Sequence, residues 1–457
     1  MAVSPDLVGF TIATATKELA TRRLSAVELV EETLATVDRD NERLNAYLHV
    51  DREGALAAAR RADAALDDGS ADPLAGIPIC VKDVIHVAGM PTTAGSSGWS
   101  RLPTADAVAV ARLREAGAVI IGKGNTNEFA FGIDGRNPHW GDCRNPCDPT
   151  RISGGSSAGP ACATRAGLAL GGLGIDTSGS LRVPASLCGL VAVRPTHGLV
   201  PTAGVVPLAW SYDTVGPLAR TVADAALLLE VIAGPALGPA GYAGGDPALD
   251  LRGRTVGLLT QFIEAGCDPE IAALTHAAGA LLESLGAKVR PVELPRLEHI
   301  DTIHTLIQFA EAAAVHRRWI DDQRPRYEPA VLDRLEAGAA LSATDYLEAQ
   351  RARELFRVET ARAIDGVDAL IAPTTPIVAP PLDADTVDVD GRPVQVRTAL
   401  LSFTLALSQL GIPVVAIPLG ETAGLPFGLQ ITGRPGTERS LLALAAAYRR
   451  AAGVGEP

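Results

Sequence analysis

Lysine is scarce in this sequence. The 40 Lys and Arg residues include only four lysines, Lys17, Lys82, Lys123 and Lys288, so arginine is the default cation. Arginine stays protonated in proteins, whereas a desolvated lysine can lose its proton and act as a base. Lys82 ends the apolar, strand-like run 77–82, a setting that suits such a base. An arginine-rich codon bias that left a few lysines in place is the alternative.

A surplus of positive charge is also missing. The formal net charge is -13 and the isoelectric point is near 5.2. A broad surface for nucleic acid or for an anionic membrane would need a basic patch. We therefore expect a small-molecule substrate, with no nucleic acid and no membrane as partner. A local basic stripe on an acidic protein still leaves room for a bound tRNA.

Cysteines and long apolar runs are few. The six cysteines in 457 residues are too sparse for a disulfide framework. Residues 1–6 lack the basic segment and apolar core of a secretory leader. Apolar stretches such as 225–232 end at a charge or a proline, well short of the ~20 residues of a spanning helix. These features predict a cytoplasmic protein without a membrane segment.

Aromatic residues are sparse as well, but aliphatic residues are not. Aromatics make up 4% of the chain and hydrophobic residues 47%, so Ala, Leu and Val must fill the core. A capping box at Ser25 and Glu28 predicts a helix start, and helical patterns then alternate with short apolar runs. Strands are predicted near 77–82, 118–121, 187–193, 256–259, 369–373 and 414–418. This alternation is typical of an α/β protein.

The domain organisation follows from the same patterns. No repeat and no clean linker divides the chain, so we predict one domain over residues 1–457. Residues 1–70 read as an N-terminal helical segment that precedes the first strand. Residues 300–365 contain many helix formers and few strand signals, which predicts a helical excursion over one side of the sheet.

Two serines stand in glycine-rich loops. Ser156 lies in the run 154–157 and Ser180 in the run 176–180. Glycine permits positive φ and leaves space beside the backbone, so two such loops can hold hydroxyls and free amide N–H groups around one substrate atom. Two serines and a neutral lysine suffice for nucleophilic catalysis without histidine. No Gly-x-Ser-x-Gly elbow offers another base, which leaves Lys82 as the candidate.

With their flanking residues, these three side chains resemble the amidase signature family of serine amidohydrolases. The similarity covers nearly the whole chain, at residues 78–83, 122–132, 145–196, 213–224, 372–376 and 411–420. The resemblance implies the amidase signature fold, a single large α/β domain whose central mixed β-sheet is sandwiched between α-helices. It also implies hydrolysis of carboxamide C–N bonds, with no metal or organic cofactor, and a homodimer.

The resemblance also assigns roles to particular residues. Ser180 would be the nucleophile that forms the acyl-enzyme, and Ser156, after a cis peptide, would relay the proton to Lys82, the base. The backbone N–H groups of four consecutive residues would form the oxyanion hole: Thr177, Ser178, Gly179 and Ser180.

Three further residues are candidates for support. Asp176 and Arg182 flank Ser180 and either pair to fix the loop or are ordinary surface charges. Ser157 either donates to Lys82 or has a structural role in its turn.

Two positions depart from the family pattern. Ala158 follows the first serines where glycine is common, and Ser178 stands where a glycine usually precedes Gly179. Ser178 puts in question the positive-φ freedom of the oxyanion loop.

Two alternatives to a free-standing amidase are open. One is the glutaminase (A) subunit of a tRNA-dependent amidotransferase, which uses the same triad. Those subunits resemble one another in an aspartate just before a Phe-Thr pair, whereas this chain has Leu401 and Ser402 before Phe403 and Thr404. The other alternative is a non-catalytic scaffold of the same fold.

Overall fold

The structure is a computed structural model that describes residues 7–237 and 250–453. Residues 1–6, on which the leader prediction depends, lie outside the described ranges.

A mixed β-sheet of 11 strands forms the centre of the domain. In chain order the strands are β1 Tyr47–Val50, β2 Pro78–Lys82, β3 Val119–Gly124, β4 Gly171–Asp176, β5 Val191–Arg194, β6 Thr214–Ala219, β7 Thr255–Leu259, β8 Lys288–Val292, β9 Ala369–Pro373, β10 Thr386–Val389, β11 Arg392–Gln395, β12 Val414–Thr422 and β13 Leu425–Thr432. The order across the sheet is β1-β3-β2-β4-β6-β5-β12-β13-β9-β7-β8, and β10 and β11 form a separate hairpin.

Helices cover the sheet. They are α1 Ile12–Ala20, α2 Ala26–Leu44, α3 Arg52–Asp68, α4 Val108–Glu115, α5 Ala158–Ala166, α6 Arg182–Cys188, α7 Val222–Ala233, α8 Thr260–Glu264, α9 Pro269–Ser284, α10 Ile300–His316, α11 Ile320–Gln323, α12 Pro329–Ala339, α13 Ala343–Ala363, α14 Val396–Leu401, α15 Leu405–Leu410 and α16 Glu438–Ala451. The single-domain α/β architecture predicted from the sequence is confirmed. Among the described residues, no helix is both long and apolar enough to cross a membrane.

The arrangement of β2 and β4 positions the site. These two strands are parallel neighbours, with Ile79 opposite Gly171 and Val81 opposite Leu173. The carboxyl ends of parallel neighbours lie at the same edge of a sheet. Lys82, the last residue of β2, is therefore brought to the edge from which the loop after β4 emerges.

Two predicted elements differ from the structure. Residues 187–193 were predicted as one strand, but α6 continues to Cys188, Gly189 ends it with φ 68°, and β5 begins at Val191. The periodicity of a short apolar run does not tell a buried helix from a buried strand. The boundary between α6 and β5 is Gly189, whose left-handed backbone ends the helix. The N-terminal segment also contains a strand, β1, which pairs antiparallel with β3.

Candidate active site

Lys82 is completely buried at the end of β2. Its Nζ donates a hydrogen bond of 2.8 Å to Oγ of Ser156. Burial lowers the pKa of Lys82 to about 7, while the carboxylates of Asp213 and Asp176 oppose that shift. A lysine in this state is neutral in a large share of molecules near pH 7, so it is able to accept a proton.

Ser156 and Ser157 lie just before α5, in a loop that is fully buried. The peptide bond between Gly155 and Ser156 is cis. Ser157 does not contact Lys82 by a hydrogen bond: its hydroxyl donates to the carbonyl of Ile175 at 3.1 Å, and the N–H of Ile175 lies 3.3 Å from the same oxygen. Ser157 therefore has a structural role, because its hydroxyl links this loop to β4.

Asp176 forms a buried salt bridge that holds the loop after β4. Its carboxylate lies 2.9 Å from Nε of Arg182 and 3.3 Å from Nε of Arg194, and all three side chains are fully buried. Burial raises the pKa of Asp176, but the two guanidiniums outweigh it and lower the value to about 2. Asp176 and Arg182 are thus a loop-fixing pair, not surface charges.

The oxyanion prediction needs one correction. The N–H of Gly179 donates to Oδ1 of Asp176 at 2.8 Å, so this group is already occupied. The N–H groups of Thr177, Ser178 and Ser180 have no acceptor in the part of the chain that the structure describes. A loop that wraps around a buried carboxylate must use some of its amides on that carboxylate, which sequence spacing alone does not reveal.

The residue with positive φ in this loop is Gly179, and not Ser178. Its φ is 138°, and a Cβ there would lie 2.6 Å from Oγ1 of Thr404. Ser178 is absent from the described residues with positive φ. The serine at 178 is therefore compatible with the loop, because the left-handed position is one residue later.

The side chain of Ser178 contacts α10. Its Oγ lies 2.7 Å from Nε2 of His304 and 3.1 Å from Nε2 of Gln308. His304 stacks on Tyr212, with ring centroids 4.6 Å apart, and its Nδ1 lies 3.2 Å from Nε2 of Gln409. Burial lowers the pKa of His304 to about 3, so the imidazole is neutral. Sequence reasoning missed His304 and Gln308, since they lie more than 100 positions from the serine loops.

Asp213 is a second group that the sequence analysis did not single out. Its carboxylate accepts from Oγ1 of Thr177 at 2.6 Å and from the N–H groups of Leu208 and Ala209 at 2.9 and 3.1 Å. Burial raises the pKa of Asp213 to about 6, against these hydrogen bonds. It is therefore an anion near Lys82 at neutral pH and a partner of the oxyanion loop.

A narrow pocket with little free space lies beside Ser180, and we call it the acyl pocket. Its lining includes Phe131, Ile133, Gln308, Arg397 and Leu401, and no acidic residue belongs to the lining that the structure describes. No group of three or more His, Cys, Asp or Glu side chains suited to a metal ion occurs within residues 7–237 and 250–453.

Comparison with known proteins defines the class. The family model described as Amidase matches residues 28–442. The chain therefore belongs to the amidase family, the amidase signature enzymes that the serine loops and Lys82 indicate.

Two relatives have names that point to a particular enzyme. Both are named as the A subunit of a glutamyl-tRNA(Gln) amidotransferase. The one from Roseiflexus sp. (strain RS-1) is 38% identical over 96% of this chain and 96% of its own. The one from Burkholderia pseudomallei (strain 668) is 36% identical over 95% of both chains.

Solved structures of similar shape include hydrolases and an amidotransferase component. A crystal structure of an amidase superposes with a TM-score of 0.90 at 37% identity, covering 97% of this chain and 100% of the other. The peptide amidase from Stenotrophomonas maltophilia gives 0.83 at 31%, covering 96% of both chains. The A subunit of the glutamyl-tRNA(Gln) amidotransferase from Thermotoga maritima gives 0.80 at 28%, covering 98% and 96%.

These relatives correct the expected partners. The acidic composition led us to expect a small-molecule substrate only, with no nucleic acid. That expectation is wrong, because full-length relatives are named as components of a glutamyl-tRNA(Gln) amidotransferase. Net charge summed over a whole chain says nothing about a partner bound through other subunits or through one local surface.

Proposed function

We propose that this protein cleaves a carboxamide C–N bond through an acyl-enzyme on Ser180. The observation that carries the proposal is the buried hydrogen bond between Lys82 and Ser156, 2.8 Å long, at a lysine whose pKa burial lowers to about 7. A serine hydroxyl is a weak nucleophile at neutral pH unless a base takes its proton, and this lysine is able to do so.

In the first half-reaction, Oγ of Ser180 attacks the amide carbon and forms a C–O bond. Its proton passes to Oγ of Ser156 while the Ser156 proton passes to Nζ of Lys82. The free N–H groups of Thr177, Ser178 and Ser180 stabilise the negative charge on the carbonyl oxygen. One such donor contributes on the order of 3 kcal/mol to catalysis.

Collapse of this intermediate breaks the C–N bond. The proton on Lys82 returns through Ser156 to the leaving nitrogen, so ammonia or an amine departs. In the second half-reaction a water molecule attacks the acyl carbon and Lys82 receives its proton. The Ser180 oxygen then leaves, is reprotonated, and the carboxylic acid is released.

The comparisons favour one setting for this chemistry. We propose that the chain is the A subunit of a glutamyl-tRNA(Gln) amidotransferase, in which the ammonia released from an amide serves the tRNA-linked reaction. The support is full-length similarity, 38% over 96% of both chains, to a protein of that name. Six free cysteines are compatible with the reducing cytoplasm, where we propose that the protein works.

A free-standing amidase is the second candidate, and one specific observation favours it. The amidotransferase subunits resemble one another in an aspartate just before a Phe-Thr pair, whereas Leu401 and Ser402 precede that pair here, and Leu401 lines the acyl pocket. Without a carboxylate in the pocket lining, the amino group of glutamine has no counter-charge among the described lining residues.

Ammonia release separates these candidates. The purified chain is assayed with glutamine and with a panel of small amides, alone and together with the remaining amidotransferase components and tRNA. Turnover of glutamine that depends on those partners supports the amidotransferase role, and partner-independent turnover of other amides supports the free-standing enzyme. A Ser180→Ala variant should be inactive in both cases. Full activity of this variant, or a fluorophosphonate that labels a different residue, would overturn the mechanism.

A further inference from the structure

The acyl pocket beside Ser180 contains one charged residue, Arg397 of α14. The other lining residues that the structure describes are apolar or neutral, including Ile133, Leu208 and Leu401. The pocket therefore presents a cation to the acyl group and no anion. The charge of the pocket should therefore influence which amides bind, which the chemistry of the triad alone does not determine.

Arg397 has no direct partner. Its side chain makes neither a salt bridge nor a hydrogen bond with residues 7–237 and 250–453. Burial and the nearby Arg334 lower the pKa of Arg397 to about 10, while Asp301 and Asp134 act only from a distance. The guanidinium therefore remains charged at neutral pH. Arg397 is half-buried, and a partly desolvated cation without a partner favours the entry of an anion into the pocket.

The guanidinium lies close to the Ser178 network. After burial, the charge of Arg397 is the largest influence that lowers the pKa of His304. His304 in turn contacts Oγ of Ser178 at 2.7 Å. Arg397 and Ser178 both line the pocket that contains Ser180.

The hydrogen-bond network fixes the direction of the Ser178 hydroxyl. The hydroxyl of Tyr212 donates to Oε1 of Gln409 at 2.8 Å, so Nε2 of Gln409 faces Nδ1 of His304 and donates to it. If Gln409 were turned over, the Tyr212 hydroxyl would lose its acceptor. His304 therefore carries its proton on Nε2 and donates to Ser178, as Gln308 does at 3.1 Å.

Two donors occupy both lone pairs of the Ser178 oxygen. In the orientation in which Gln308 donates from Nε2, the Ser178 hydrogen has no acceptor within the network and is available to a group in the pocket. Arg397 and Ser178 together offer donors to one small pocket, and such donors can bind a carboxylate.

We propose that Arg397 and the Ser178 hydroxyl bind a carboxylate on the acyl group, so that the substrates are monoamides of short dicarboxylic acids. This inference rests on the proposed amidohydrolase function. Glutamine belongs to the class through its α-carboxylate, but its ammonium group is not required. The pocket is narrow, which favours short acyl chains.

The test compares two amides of equal chain length that differ in the carboxylate, glutaric acid monoamide and pentanamide. Hydrogen bonds to charged groups predict that kcat/KM for the first exceeds that for the second by about 10- to 100-fold. In Arg397→Gln the ratio should fall to near one, mainly through KM for the acidic amide, and Arg397→Lys should retain part of it. Arg392→Gln, an exposed arginine in β11, should keep the wild-type ratio.

A wild-type ratio near one, or a ratio that survives Arg397→Gln, would overturn the inference and leave the amidohydrolase intact. If the wild-type protein cleaves neither amide and Ser180 resists a fluorophosphonate, the proposed function fails instead. In that case calorimetric binding of glutarate still decides the inference. Wild-type binding that is at least 10-fold weaker in Arg397→Gln supports it, and no binding by the wild type refutes it.

Discussion

Lys82 donates from Nζ to Oγ of Ser156 across 2.8 Å in a fully buried site. No acidic side chain makes a direct hydrogen bond with this lysine among the described residues. Lys82 therefore has a hydrogen-bond partner but no adjacent carboxylate that would stabilise its charged form. Asp213 and Asp176 influence its pKa only at longer range.

The pH dependence of turnover should report this lysine. Because the base must be neutral and burial lowers the pKa of Lys82 to about 7, kcat/KM should rise with pH and level off above about 8. The profile is measured with a neutral amide, whose own charge does not change. A flat profile between pH 6 and pH 8, or an acid limb near the ordinary lysine pKa of about 10.4, would contradict the proposed base.

Asp213 should set the position of that acid limb. Its carboxylate raises the pKa of Lys82, so Asp213→Asn should lower this pKa and move the limb to lower pH. The measured quantity is the ratio of kcat/KM at pH 6 to that at pH 8, which should increase. Asp213→Glu keeps the charge and serves as the control. An acid limb displaced to higher pH would refute the electrostatic coupling.

Replacement of Lys82 by arginine should abolish most of the activity. Arginine keeps a positive charge but does not give up its proton, so Lys82→Arg should reduce kcat by at least about 10²–10⁴-fold, the usual contribution of a positioned base. Single-turnover ammonia release measures the loss. Lys288→Arg is the matched control, since Lys288 is exposed in β8 and should retain wild-type activity. Normal turnover in Lys82→Arg would eliminate the lysine as base.

The salt bridge at Asp176 should matter for stability. Asp176→Asn leaves the guanidiniums of Arg182 and Arg194 buried without a counter-charge, which costs about 3–5 kcal/mol in comparable sites. The free energy of unfolding is obtained from urea denaturation at pH 7, with m-values compared between variants. Asp67→Asn provides the control.

Asp67 pairs with Arg22 at 3.0 Å, but its side chain is 77% exposed. An exposed pair contributes at most about 1 kcal/mol, so this substitution should have little effect. If both variants lost the same free energy of unfolding, the buried salt bridge of Asp176 would stabilise the fold no more than an exposed pair does.

The parts of the site that lie within one short motif could be predicted from the sequence. Lys82 stood out through its apolar strand, and Ser156 and Ser180 through their glycine-rich loops. His304 and Arg397 could not be found in this way. Arg397 lines the pocket from α14, and His304 contacts Ser178 from α10. Only the tertiary fold brings these helices to the loop after β4.

Errors in the fold prediction have a similar cause. The strand predicted at 187–193 merged the end of α6 with β5, because both are buried and apolar and the pattern lacks a period. Lys123 is another residue whose setting the sequence does not reveal: glycines flank it, yet it is buried in β3 with a salt bridge of 3.0 Å to Asp83. Burial of a charge depends on its partner, and this partner belongs to a different segment.

The bond-breaking side chains and two polar residues of the pocket wall come from different stretches of the polypeptide. Lys82, Ser156 and Ser180 belong to the first half of the chain, whereas Gln308 and Arg397 belong to the second. Exchange of the later stretch for that of a relative would alter which amides are accepted while the reaction itself stays intact. New substrate ranges can evolve in such a scaffold without any reinvention of its chemistry.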